Sequence, residues 1–124
     1  MKRLTLGLAA VLLATAAYAA APAKTGDTSL GKVWVDDGGM TLYTFDKDAP
    51  GKSNCNGDCA AKWPPFKATA DAKDDGDWTV VTRDDGSKMW AYEGKPLYLW
   101  EKDAVPGDVT GDGVGGVWHA AKAE

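Results

Sequence analysis

Beyond its first nineteen residues the chain is a succession of short segments rich in Val, Thr, Trp and Tyr, each closed by a cluster of Asp and Gly. Asp36 to Gly39 separates Lys32–Val35 from Met40–Phe45, Asp84 to Gly86 separates Trp78–Arg83 from Lys88–Tyr92, and Glu93 to Lys95 leads into Pro96–Glu101. Side chains that suit a pleated strand, interrupted by residues that tolerate tight reversals, are hairpin signals. No later stretch keeps a helical apolar period over ten residues, although Asp58 to Trp63 suits one or two helical turns. The pattern predicts an all-β fold: two pseudo-symmetric β-hairpin repeats packed as one small domain, with at most a short helical turn near Cys59.

The amino terminus departs from this pattern. Lys2 and Arg3 precede an uncharged run from Leu4 to Ala17, and Ala17, Tyr18 and Ala19 form an A-x-A-like cleavage site. A positive n-region followed by an apolar h-region reads as a secretory signal peptide, residues 1–19, with the mature chain starting at Ala20. The run is too short to span a bilayer comfortably, so no membrane span is expected. The two cysteines, Cys55 and Cys59, lie far from the cleavage site, so no lipid anchor is expected either. The destination is periplasmic or secreted. Residues 20–29 are small and polar and read as a flexible lead-in, leaving 30–121 as a single domain with repeats at about 32–63 and 88–118.

Charge narrows the function classes. The signal takes two of the 14 basic residues and none of the 18 acidic ones, leaving 12 against 18, a formal −6. Such a surface disfavours nucleic acid. Fifteen of the 18 acids are Asp, mostly beside Gly or Lys, which marks solvated turns more than a binding tail.

The two halves of the domain repeat each other. Gly39–Gly51 (GMTLYTFDKDAPG) matches Gly94–Gly107 (GKPLYLWEKDAVPG), 55 residues apart, and both Tyr43 to Trp63 and Tyr98 to Trp118 span 20 residues. Upstream, Lys32–Trp34 finds its counterpart in Lys88–Trp90. Two such modules, each with a face too aromatic to leave wet, are expected to pack around an approximate two-fold axis. Tyr43-x-Phe45-x-x-Asp48 and Tyr98-x-Trp100-x-x-Asp103 resemble the bacterial secreted-repeat family with a Tyr-x-(Phe/Trp/Tyr)-x-x-Asp motif, many of whose members are predicted lipoproteins. The resemblance covers most of residues 28–120 and implies export and fold; the family's function is unknown.

Alternation puts Tyr43 with Phe45, and Tyr98 with Trp100, on one strand face each, where all four are expected to be largely buried. Asp48 and Asp103 stand just before Pro-Gly pairs and are expected to accept backbone N–H bonds within their own turns. The rival reading is a ligand site of Tyr, Trp and Asp. Cys55 and Cys59, delivered to an oxidising compartment, are expected to form a disulfide. Its alternative is copper or thiol-redox chemistry at Cys55 and Cys59, with His119, Met40 or Met89 as a further soft ligand. Asp108 to Gly113 resembles the opening of a calcium loop but lacks the closing Glu, so a Gly-rich turn is expected there. No catalytic triad, phosphate loop or haem motif is present in the sequence, and enzyme activity is not indicated. The reading is an exported accessory or binding protein with chiefly structural motif residues, serving an envelope partner or a small ligand without a cofactor.

Overall fold

The computed structural model describes residues 21–123; the expected signal peptide and its cleavage site lie outside the described residues. Breaks in the chain fall at the Asp and Gly clusters. β1 (Lys24–Thr28) and β2 (Gly31–Val35) form an antiparallel hairpin. A turn follows in which the Asp36 carboxylate accepts the N–H groups of Gly38 and Met40. Then come β3 (Tyr43–Phe45) and the short helix α1 (Asp58–Lys62). β4 (Trp78–Thr82) and β5 (Lys88–Tyr92) make the second hairpin, β6 (Lys95–Pro96) folds back onto β5, and β7 (Trp118–Ala120) follows a 3-10 turn at Val114–Gly116.

The segment expected as a flexible lead-in supplies β1. Its sequence, KTGDT, has no apolar alternation because much of it faces solvent, so periodicity cannot reveal it. Backbone pairing with β2 over five rungs holds it, together with a turn in which Thr28 Oγ1 donates to the Gly31 carbonyl and accepts from Leu30 N–H. The paired chain therefore begins at Lys24 instead of residue 30, and it runs on past 121 to Ala123, whose N–H reaches the Lys32 carbonyl.

The repeat in sequence is a repeat in hydrogen bonding. Trp34 N–H donates to the Ala121 carbonyl, Ala121 N–H to Leu42, and Leu42 N–H back to Trp34, at 2.9, 2.8 and 2.9 Å. Three strands thus meet in a closed ring. The same ring recurs as Trp90 to Phe66, Phe66 to Leu97 and Leu97 to Trp90, at 2.9, 2.9 and 3.0 Å. Each ring takes two strands from one repeat and its third from the other. β7 completes the first repeat, and the chain leaving α1 completes the second. The repeats are thus interlaced by exchange of their last strands, more intimately than two modules packed face to face. At the centre, Tyr43 and Tyr98 exchange both backbone bonds, at 2.8 and 2.9 Å, which places the approximate two-fold axis between them. The flanking bonds agree: Asp46 N–H to Val117 matches Glu101 N–H to Lys62.

Neighbouring strand residues point to opposite faces, so each central strand feeds two cores. One gathers Tyr43, Tyr98, Trp63, Trp118, Val33 and Met89. The other gathers Leu42, Leu97, Trp78 and Ala121, with Trp34, Trp78 and Tyr92 in mutual ring contact at 4.8–5.0 Å. Each such large apolar side chain, fully buried, contributes about 1.5–3 kcal/mol.

Strand exchange has a measurable consequence. A protease site placed in the largely exposed stretch Ala70–Lys73 should, once cut, leave a nicked protein that elutes as one species and keeps its near-ultraviolet circular dichroism. Separation of the halves under native conditions, each still folded, would contradict the interlaced topology.

Candidate functional site

The motif tyrosines and aspartates meet across the repeat boundary. Tyr43 Oη donates to Asp103 Oδ2, and Tyr98 Oη donates to Asp48 Oδ2, each at 2.6 Å. The second oxygen of each carboxylate does what the turn chemistry suggests: Asp48 Oδ1 accepts Asn54 N–H, and Asp103 Oδ1 accepts the N–H and hydroxyl of Thr110. Each Asp thus braces its own loop with one oxygen and holds the other repeat's tyrosine with the second. Both tyrosines have no exposed surface. Burial first, and the bond to a carboxylate second, push both phenols well above their ordinary range. Burial also raises Asp48, against the opposing effect of its bonds from Tyr98 and Asn54.

A phenol has one hydrogen, and it is spent on the carboxylate, so any further bond to Oη must arrive from a donor. At Tyr43 the donor is Gly111 N–H, 3.2 Å away. Gly111 is needed there because a Cβ would stand 2.9 Å from both the Tyr43 and Trp63 rings. At Tyr98 the donor is Ser53 Oγ, at 2.6 Å, which accepts in turn from Arg83 Nη1 at 2.9 Å. Arg83, 5% exposed, also donates through Nη2 to the Cys55 carbonyl at 2.7 Å. A buried guanidinium is thereby linked to the Asp48 carboxylate through two hydroxyls.

The aromatic residues form one continuous stack. Phe45 lies on Trp118 at 4.2 Å, Trp118 on Trp63 at 3.7 Å with planes 2° apart, and Trp63 on Trp100 at 3.9 Å. The order is palindromic under the repeat, since Phe45 corresponds to Trp100 and Trp63 to Trp118. Tyr43 meets Trp63 edge-on at 5.4 Å, and Tyr98 meets Trp118 likewise at 5.2 Å. Phe45 and Trp100, expected to be largely buried, are only half-buried, because they are the two ends of the stack.

Cys55 and Cys59 are joined in a disulfide with Cα atoms 5.2 Å apart, Cys59 lying in the first turn of α1. His119, named with them as a copper ligand, sits on β7 with Nε2 2.8 Å from Asp46 Oδ2. Met89 is fully buried and its Sδ accepts from Arg83. Among the described residues, no three His, Cys, Asp or Glu side chains gather as a metal centre would require. The carboxylates of the calcium-like stretch serve turns: Asp108 caps Ala104 and Val105 N–H, which holds its carboxyl below the ordinary range, and Asp112 accepts from Ala120 N–H.

Outside the stack, a surface cleft runs past Thr44, Phe45, Asp46 and Asp48 to Glu93 and Lys95. A second depression shares Thr44, Asp46, Glu93 and Lys95 and continues to His119 and Lys122. Glu93 is the one residue other than glycine with positive φ among those described, at 52°.

The family described as a secreted repeat of unknown function matches residues 24–67 and again 79–122. Each match contains one complete Tyr-to-Trp span. The chain belongs to this secreted-repeat family. No curated protein and no solved structure matches it. Each secreted repeat is thus a sequence unit but half of two spatial units, since its tyrosine and its aspartate serve different loops. Among the described residues no helix is long and apolar enough to cross a membrane.

Arg83 and Ser53 escaped the sequence reading. A signal existed for the first: beyond the amino-terminal run, Arg83 is the only arginine in a chain that otherwise uses lysine. Nothing local marks Ser53.

Two outcomes are expected. Because the folded phenols titrate above the unfolded ones, their contribution to stability is intact below about pH 10 and declines as pH rises past it. Tyr43→Phe with Tyr98→Phe should lower stability at neutral pH, by about 1–3 kcal/mol per tyrosine, yet flatten the decline above pH 10 in urea titrations. Replacing Cys55 and Cys59 with Ala should cost about 2 kcal/mol by loop entropy, with near-ultraviolet dichroism unchanged. A collapse of the fold instead would make the disulfide indispensable to the Ser53–Arg83 network.

Proposed function

We propose that the protein acts in the cell envelope, periplasmic after loss of residues 1–19, as a binding accessory that holds a small polyhydroxylated ligand in the cleft beside Phe45. The buried tyrosines Tyr43 and Tyr98 and their carboxylate partners are the frame, and the cleft, which Phe45 and the edge of Asp48 border, is the working surface. Glu93 is the observation that carries this reading. It occupies the first position of a two-residue hairpin loop between Tyr92 and Lys95, with Gly94 also at positive φ. Asn or Gly is preferred there, and an L-residue with a longer side chain is strained by about 1–2 kcal/mol. Such strain collects where a side chain is retained for contact with a ligand.

The lining suits a sugar-like molecule. The Phe45 ring, covered on one side by Trp118, borders the cleft and offers an apolar platform. Asp46, Asp48 and Glu93 supply carboxylate acceptors for hydroxyls, and Thr44 and Lys95 supply donors. A few polar groups converging around one aromatic surface is the usual make-up of a small-ligand site.

The reading is tested by ligand-observed NMR against neutral oligosaccharides. Glu93→Asn should raise Tm by about 4–8 °C, since it installs the favoured Asn-Gly pair, while weakening ligand binding roughly tenfold. Phe45→Ala should abolish binding. Wild type that binds none of the sugars, or binding indifferent to both substitutions, would dismiss the cleft as the working surface.

A further inference from the structure

We propose that the secreted repeat is also a sink for oxidising equivalents, in which Trp100 accepts a hole at the surface and the Trp63–Trp118 stack delivers it to Tyr43 or Tyr98, each of which gives its proton to a carboxylate. The relay needs no ligand in the cleft, although Phe45 and Asp48 border both.

The geometry is that of a relay. Trp100 is half-exposed, whereas Trp63 and Trp118 are buried, so oxidants in solution reach the stack at its tryptophan end. Phe45 closes the other end, and a phenyl ring is far harder to oxidise than an indole. From Trp100 the rings follow at 3.9 Å to Trp63 and 3.7 Å to Trp118. Each inner indole touches one tyrosine, Trp63 meeting Tyr43 at 5.4 Å and Trp118 meeting Tyr98 at 5.2 Å. No gap in the path exceeds ring contact.

The end points are built for coupled loss of an electron and a proton. A tyrosine is oxidised at accessible potentials only if its phenolic proton leaves with the electron, because the protonated radical is a strong acid. In a buried site that proton needs a base already in place. Both phenols have one, a carboxylate oxygen at 2.6 Å. Because both phenols are held protonated well above their ordinary range, the proton stays until the electron goes. The step balances as follows. A strong one-electron oxidant, of the ferryl-haem or ruthenium(III) class, takes an electron from Trp100 and is reduced by one. The hole passes to Tyr43, the O–H bond breaks, and the proton joins Asp103, leaving a neutral tyrosyl radical and a neutral acid. Tyr98 and Asp48 form the equivalent pair. A one-electron reductant at Trp100 reverses the sequence.

The repeat itself supplies the controls. Phe45 occupies in one repeat the place that Trp100 occupies in the other, so Trp100→Phe makes the stack symmetric and should fold normally. Phe45→Trp should open a second entrance. The parent for all variants is the mature protein carrying Tyr92→Phe, since the Tyr92 hydroxyl is a competing surface phenol with no bond of its own among the described contacts. Photogenerated tris-bipyridyl ruthenium(III) serves as oxidant, and tryptophanyl and tyrosyl radicals are followed by transient absorption and electron paramagnetic resonance. Tyrosyl radical is expected in the parent, absent after Tyr43→Phe with Tyr98→Phe, lost in Trp100→Phe and faster in Phe45→Trp. Asp48→Asn with Asp103→Asn should slow its formation roughly 100-fold, the scale of a positioned proton acceptor. Should that double variant not fold, the exchange of Trp and Phe at the stack ends still decides. Tyrosyl radical formed equally fast in Trp100→Phe, or tryptophan oxidised without any tyrosyl radical, would reduce the stack to packing alone.

Discussion

Everything in this molecule is arranged around the backbone pair of Tyr43 and Tyr98. Two identical residues exchange N–H and carbonyl across the approximate axis, so whatever one repeat does to the other is returned. Both side chains enter the same core, and each hydroxyl arrives at the carboxylate belonging to the far repeat. Both hydroxyls are buried beneath indole rings, where an unmet O–H costs more than a bond to water is worth, so the aspartates are obligatory partners. The motif therefore describes a reciprocal contract: in each half the tyrosine is supplied by one repeat and the aspartate by the other.

Symmetry holds where the two halves touch and relaxes where they do not. The loop after Asp48 is closed by a disulfide and a turn of helix and brings Ser53 to Tyr98, while Arg83, just past β4, bonds to Ser53. After Asp103 the loop has no cysteine; glycines let its backbone come against the tyrosine, and the Gly111 amide takes the place of the serine hydroxyl. Both devices deliver one hydrogen-bond donor to one phenol oxygen. The first buries a guanidinium to do so, the second a bare peptide.

Much of this was open to inspection in the sequence, and the reasons for the rest are physical. Class, repeat, short helix and disulfide follow from local rules: alternation, Gly and Asp punctuation, and the spacing of Cys55 and Cys59 in an exported chain. The turn role of Asp48 and Asp103 is likewise local. What joins Tyr43 to Asp103 is not, because a contact across 60 residues leaves no mark in periodicity. For the same reason alternation yields two separate pairs, Tyr43 with Phe45 and Tyr98 with Trp100: the spacing of Trp63 and Trp118 says that they are equivalent and says nothing of their lying on each other. β1 escaped because a strand held by its backbone needs no pattern in its side chains. Phe45 and Trp100 are half-buried and not largely buried because alternation fixes the face of a strand and not the depth of a position within it.

The exchange of last strands has a bearing on the order in which the fold can assemble. Here the first repeat lacks its third strand until β7, which belongs to the second repeat, is in place. The ring at Trp34, the indole that covers Trp63 and the acid that receives Tyr43 all wait on the carboxyl-terminal half. Contacts between distant parts of a chain form slowly. The interlacing thus acts as a timing device: neither repeat closes alone, and the two close as one unit.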